Sequence, residues 1–145
     1  MNNSLHDINR YGVHIFASLH GQNDGGNLSG NSSWNSFVGL RLELSDGWII
    51  GHNSVWGTSR GPMEFHEAEN CVIEDNWICN NNGEYGVRVS STHHSFFINN
   101  TVCNNTGPGF NIRYSSYNTF TGNIIEGNTG MPYVSENSHD NIFNP

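Results

Sequence analysis

Apolar residues fall on alternate positions in short runs, and Asn, Gly and Ser separate the runs. Alternation is the period of a strand and not of a helix, and the separators are turn formers. The runs also recur. From Cys71 the chain reads C-V-I-E-D-N-W-I-C-N-N, from Ser95 S-F-F-I-N-N-T-V-C-N-N, and from Asn118 N-T-F-T-G-N-I-I-E-G-N. W-I-I-G-H-N-S-V-W-G from Trp48 fits the same frame. Asn31, Asn53, Asn76, Asn100 and Asn123 therefore align, at steps of 22, 23, 24 and 23. Half a unit later come G-V-H-I at 12, G-L-R-L at 39, G-V-R-V at 86 and G-F-N-I at 109, with a degenerate G-P-M-E-F from 61.

A unit of about 23 residues with three short strands and no helix predicts one coil of a parallel β-solenoid, its coils stacked about 4.8 Å apart. A leucine-rich repeat of similar length needs a spaced Leu pattern that is absent. The chain reads as one all-β domain over 1–145, with residues 1–11 as a lead-in or cap and 12–145 forming about six coils. Stacking places Leu28, Ile50, Ile73, Phe97, Phe120 and Phe143 in one interior column, and Val55, Ile78, Val102 and Ile125 in another. The aligned asparagines become a ladder of side-chain amides.

Composition narrows the function. Hydrophobic residues are 34% and charged residues 12% of the chain, with 24 Asn, 17 Gly and a formal charge of −8. All five basic residues are Arg (10, 41, 60, 88 and 113), so Schiff-base and P-loop lysines are excluded. The acidity argues against nucleic acid as a partner. No apolar run approaches a membrane span. No signal peptide is evident, and three Cys make a closed disulfide framework unexpected. The expectation is a cytoplasmic protein with reduced thiols at Cys71, Cys79 and Cys103, or an extracytoplasmic one if the chain is a processed fragment. Cys79 and Cys103 share an outward column on adjacent coils, at a spacing that would permit a bridge.

N-W-I-C-N at 76–80 with G-V-R-V at 86–89, and Asn100 to Asn104 with G-F-N-I at 109–112, resemble the parallel β-helix repeats of the pectate-lyase-like superfamily. The flavour is similar to the periplasmic copper-processing NosD-type and the carbohydrate-binding and sugar-hydrolysis repeats. The resemblance spans about residues 12–145. It implies a right-handed single-stranded parallel β-helix and a substrate groove on the outer face of the sheet that carries the G-V-R-V strands.

Alternation turns His14, Phe16, Arg41, Glu43, Glu64, His66, Arg88, Ser90, Asn111 and Arg113 outward on that sheet. This face is the expected site for a carbohydrate polymer. Glu43 and Glu64 lie on adjacent coils about 8 Å apart by strand geometry, which suits inverting glycoside hydrolysis. A lyase would instead use His66 or Arg88 as base. His14, Arg41, Asn111 and Arg113, with Trp56 and Trp77, are the expected substrate contacts. No cofactor or metal site is expected. His66-Glu67-Ala68-Glu69-Asn70 lacks a second His, and His93 and His94 should face opposite ways. The His20–Gly26 stretch reads as a loop insertion. A second expectation is a non-catalytic module that self-associates, most simply as a dimer. Its surface would be the outward column Ile49, Val72, Phe96, Thr119 and Ile142, with Trp34, Trp56 and Trp77 nearby.

Overall fold

The computed structural model describes residues 3–17 and 24–145. The His20–Asn23 part of the expected loop insertion lies outside the described residues. Three six-stranded sheets, every strand pair parallel, wrap around one core. The first sheet holds β1 (Ser4–His6), β4 (Ser32–Trp34), β7 (Ser54–Trp56), β10 (Trp77–Cys79), β13 (Thr101–Cys103) and β16 (Ile124–Glu126). The second holds β2 (Tyr11–Phe16), β5 (Val38–Glu43), β8 (Gly61–His66), β11 (Val87–Ser90), β14 (Phe110–Arg113) and β17 (Tyr133–Glu136). The third holds β3 (Asp24–Ser29), β6 (Asp46–Gly51), β9 (Val72–Glu74), β12 (Phe96–Ile98), β15 (Thr119–Thr121) and β18 (Ile142–Asn144). Six coils of three strands result, a parallel β-solenoid. The first coil begins inside the lead-in, because Ser4–His6 pairs in register with Ser32–Trp34.

The corners explain the composition. The residue before each ladder asparagine, at Gly30, His52, Asp75, Asn99 and Gly122, has positive φ. Asn35, Gly57, Asn80, Asn104 and Gly127 repeat this after the first sheet. One left-handed residue thus turns the chain at each of these corners, and Gly, Asn and Asp adopt that conformation at least cost.

The next residue buries an amide. Asn76 Oδ1 accepts Asn53 N–H and Nδ2–H, both at 3.0 Å. Asn76 Nδ2 donates to Ile50 C=O at 2.8 Å and to Asn100 Oδ1 at 2.9 Å. Every donor and acceptor of the buried amide is used. The same pattern runs from Asn3 through Asn31, Asn53 and Asn100 to Asn123.

The sequence reading missed a second ladder, Thr58–Asn81–Asn105–Asn128. A third runs through Ser95, Asn118 and Asn141. The second ladder carries the same steps of 23 and 24 and was legible by the same rule.

Phe97 stacks on Phe120, and Phe120 on Phe143, at 4.7 and 5.0 Å between ring centroids. Leu28, Ile50 and Ile73 continue that interior column. Val55, Ile78, Val102 and Ile125 form the second.

The cysteine expectation fails. Cys79 and Cys103 share the outward column but form a disulfide, with Cα atoms 4.5 Å apart. Parallel in-register pairing brings the two thiols within bonding reach, so these two Cys are not reduced thiols. Disulfides persist in oxidising compartments, so the thiols lend a cytoplasmic location no support. Cys71 is unpaired and buried. Desolvation pushes its thiol up to about 11, which makes it a poor nucleophile.

Two outcomes are expected. Asn76→Ala lowers stability by about 3 kcal/mol, because it strands buried groups on both neighbouring coils, while Asn82→Ala on the exposed surface changes it little. Urea midpoints measure both. Thiol titration without reductant finds no reactive thiol in the native protein and one after unfolding; three after unfolding would remove the disulfide.

Candidate functional site

Parallel pairing sets the outward residues of the second sheet in two straight rows. Arg41 pairs with Glu64, Glu64 with Arg88 and Arg88 with Asn111. Glu43 pairs with His66, His66 with Ser90 and Ser90 with Arg113. His14 and Phe16 extend the rows at β2. Alternation places every one of these positions outward and the register aligns them, but Glu64 and Ser90 are buried.

The side chains form a chain of contacts. Arg41 Nε–H donates to Glu43 Oε2 at 2.9 Å, and Arg41 Nη1 donates to Glu64 Oε2 at 2.7 Å. His14 Nε2 lies 3.1 Å from Glu43 Oε2. Tyr85 O–H donates to Glu64 Oε1, and the Arg88 charge lies near the same hydroxyl.

Glu64 is outward in register but only 2% exposed, because Tyr85 lies across it. Burial, and then the bond to Glu64, push the Tyr85 phenol up, so Tyr85 stays protonated as a donor. Partial burial raises the Glu43 carboxyl. The Arg41 hydrogen bond and charge, with His14, outweigh this and hold it below its usual range. Glu43 and Glu64 both engage Arg41, with no open span between them of the kind that inverting hydrolysis leaves for water.

Tyr85 and Arg60 were not among the sequence candidates. Tyr85 falls in the column of Gly61, one residue ahead of the strand glycines. A Cβ on Gly61 would sit 2.7 Å from the Tyr85 ring and 2.9 Å from its hydroxyl. The degenerate G-P-M-E-F copy is therefore shifted, with Pro62 in the glycine slot and Gly61 making room for the phenol. The signal was present: Y-G-V occurs at 11 and again at 85. Tyr11 likewise lies 5.7 Å from the Arg41 guanidinium.

Arg41, Arg60, Arg88, Glu64, Phe65 and His66 line a depression of about 160 Å³. Its charges, with Glu43, are three positive and two negative, net one positive in a chain of formal charge −8.

Of the other candidates, His66 lines this depression, whereas His14, Asn111, Arg113, Trp56 and Trp77 do not. His66 Nε2 pairs with Glu67 at 3.1 Å and Arg113 Nε with Glu136 at 3.2 Å. Asn111 is half-buried three coils from Arg41. Trp56 and Trp77 stand on the first sheet instead. Trp34 and Trp56 stack face to face at 5.0 Å, and His6 covers the other face of Trp34 at 4.7 Å. This column presents ring edges, while Trp77 is turned 63° from Trp56 and half exposed.

Fold and site together define a parallel β-helix with a charged outer sheet. The chain matches the family described as "Periplasmic copper-binding protein (NosD)" over residues 2–144, and it belongs to that family. Among solved structures it is similar to a single mutant of the periplasmic alginate epimerase AlgG, at 14% identity and TM-score 0.47, covering 83% of this chain and 45% of the epimerase. A double mutant of the same epimerase gives 14% identity and TM-score 0.45, with the same coverage. QnrB1, a plasmid-mediated fluoroquinolone resistance protein, gives 11% identity and TM-score 0.23, over 95% of this chain and 73% of that one. The chain spans less than half of the epimerase. No curated protein matches significantly.

Copper calls for clustered imidazole or sulfur donors. Among the described residues no three His, Cys, Asp or Glu side chains come together to hold a metal. Two cysteine sulfurs are tied in the disulfide and the third is buried. Glu43, near His14, already accepts from Arg41. The described donors do not fit a copper centre.

Because the folded Glu43 carboxyl sits below its usual value, its contribution to stability is full above the free-carboxylate range. It fades as pH falls through the lower folded value. Urea midpoints taken from pH 7 to pH 3 are expected to fall in the wild type and to fall less in Glu43→Gln.

Proposed function

We propose that the protein binds an acidic glycan outside the cytoplasm, seating a uronate carboxylate among Arg41, Arg60 and Arg88. The observation that carries this reading is the convergence of three of the five arginines on one depression. Arg41 is held by Glu43 and Glu64, and Arg88 stands beside the Tyr85 hydroxyl. Guanidinium groups fixed beforehand lose little freedom when a carboxylate arrives. His66 sits at the same rim. The reading is one of binding, because both carboxylates are committed to Arg41 and a carboxyl held below its usual range is a weak proton donor. The disulfide and the periplasmic description of the family support an extracytoplasmic location.

A second reading, self-association, is favoured by the exposed column on the third sheet. Ile49, Phe96 and Ile142 there are 39%, 47% and 53% exposed. The strip is narrow, about 19 Å along five coils at the strand spacing, so it suits a weak contact and not an obligate one.

Digalacturonate is expected to bind and cellobiose not to. Arg88→Ala weakens digalacturonate about tenfold, the loss of one charge-assisted contact, and rising salt weakens it further. Calorimetric titration measures all three. Equal binding of the neutral sugar, or no effect of Arg88→Ala, overturns the reading. For the second reading, light scattering is expected to show a mass that rises with concentration and returns to the monomer in Phe96→Glu.

A further inference from the structure

Arg60 belongs to two depressions. On one side it lines the charged pocket of the second sheet. On the other it lines a groove of about 480 Å³ at the corner between the first and second sheets, with Phe37, Ser59, Asn82, Gly83, Glu84 and Thr106. These residues come from four consecutive coils, so the groove runs along the solenoid axis for about 14 Å.

Its lining has a definite chemistry. The Phe37 ring is 40% exposed and lies 5.5 Å from the Arg60 guanidinium carbon. Along the groove from it stand an amide (Asn82), a carboxylate (Glu84) and two hydroxyls (Ser59 and Thr106). Gly83 packs so closely on the Arg60 carbonyl that no side chain fits there, which leaves the floor of the groove open. One apolar face ringed by short donors and acceptors matches a sugar ring, which has an apolar C–H face and a rim of hydroxyls. Glu84 would repel a second carboxylate. The groove therefore suits a neutral unit, while the pocket beside it suits an acidic one.

We propose that the corner groove is a second subsite for neutral sugar units, continuous with the carboxylate pocket through Arg60, and that the ligand is a mixed glycan of uronate and neutral sugars. This rests on the reading of the pocket as a uronate site.

The test compares free glucuronate, a xylotetraose bearing one glucuronate, and tetragalacturonate by calorimetric titration. The mixed oligosaccharide is expected to bind most tightly. Phe37→Ala lowers its affinity about tenfold, the scale of one buried aromatic contact, and leaves free glucuronate unchanged. Thr106→Trp, which fills the groove from an exposed position, does the same. Glu84→Gln strengthens tetragalacturonate. If Arg88→Ala abolishes binding while Phe37→Ala and Thr106→Trp change nothing, the subsite is overturned and the pocket stands. If none of the three compounds binds, the pocket reading fails and the subsite with it.

Discussion

The buried corner amide is the interaction on which the rest of this structure depends. A coil of about 23 residues must turn sharply between short strands, and the turn leaves backbone groups facing inward that no strand can pair. A stacked asparagine satisfies them from both sides, as Asn76 does with Asn53, Ile50 and Asn100. An unpaired polar group in that place would cost about 1–3 kcal/mol, and the solenoid repeats the place at coil after coil. The residue before the amide must be left-handed, hence the mixture of Gly, His, Asp and Asn there. The high Asn content follows from this requirement.

The same stacking makes the outer surface a lattice. Once coils are parallel and in register, every outward residue recurs one strand spacing above its counterpart. On the second sheet the row Arg41, Glu64, Arg88 alternates in sign, so opposite charges meet across coils. Burying Glu64 under Tyr85 fixes Arg41 without using up the whole positive field of the depression. On the first sheet the lattice stacks His6, Trp34 and Trp56, then brings Cys79 to Cys103. Covalent closure across 24 residues adds about 3 kcal/mol in the chain-entropy view.

Much of this was legible in the sequence because a constant step converts directly into columns. The asparagine ladder, both interior columns and the outward set of the second sheet could be read from spacing and alternation alone. What escaped depends on contacts between corners or on chemistry that spacing does not carry. The Cys79–Cys103 column was visible, but the redox state of the pair was not. Glu64 is outward by alternation and still buried, because a side chain from the next coil covers it. That side chain, Tyr85, fits only because Gly61 is displaced by one residue from the glycine column. Arg60 sits on a corner, where alternation assigns no face.

The central claim is that the arginine depression on the second sheet is where a ligand carboxylate sits. A nuclear magnetic resonance titration with a uronate ligand, following the Nε–H signals of the five arginines, tests it most directly. The account predicts that Arg41, Arg60 and Arg88 shift together and saturate at one affinity, with Arg10 and Arg113 unmoved. Shifts confined to Arg10 or Arg113, with Arg41, Arg60 and Arg88 fixed, would contradict it.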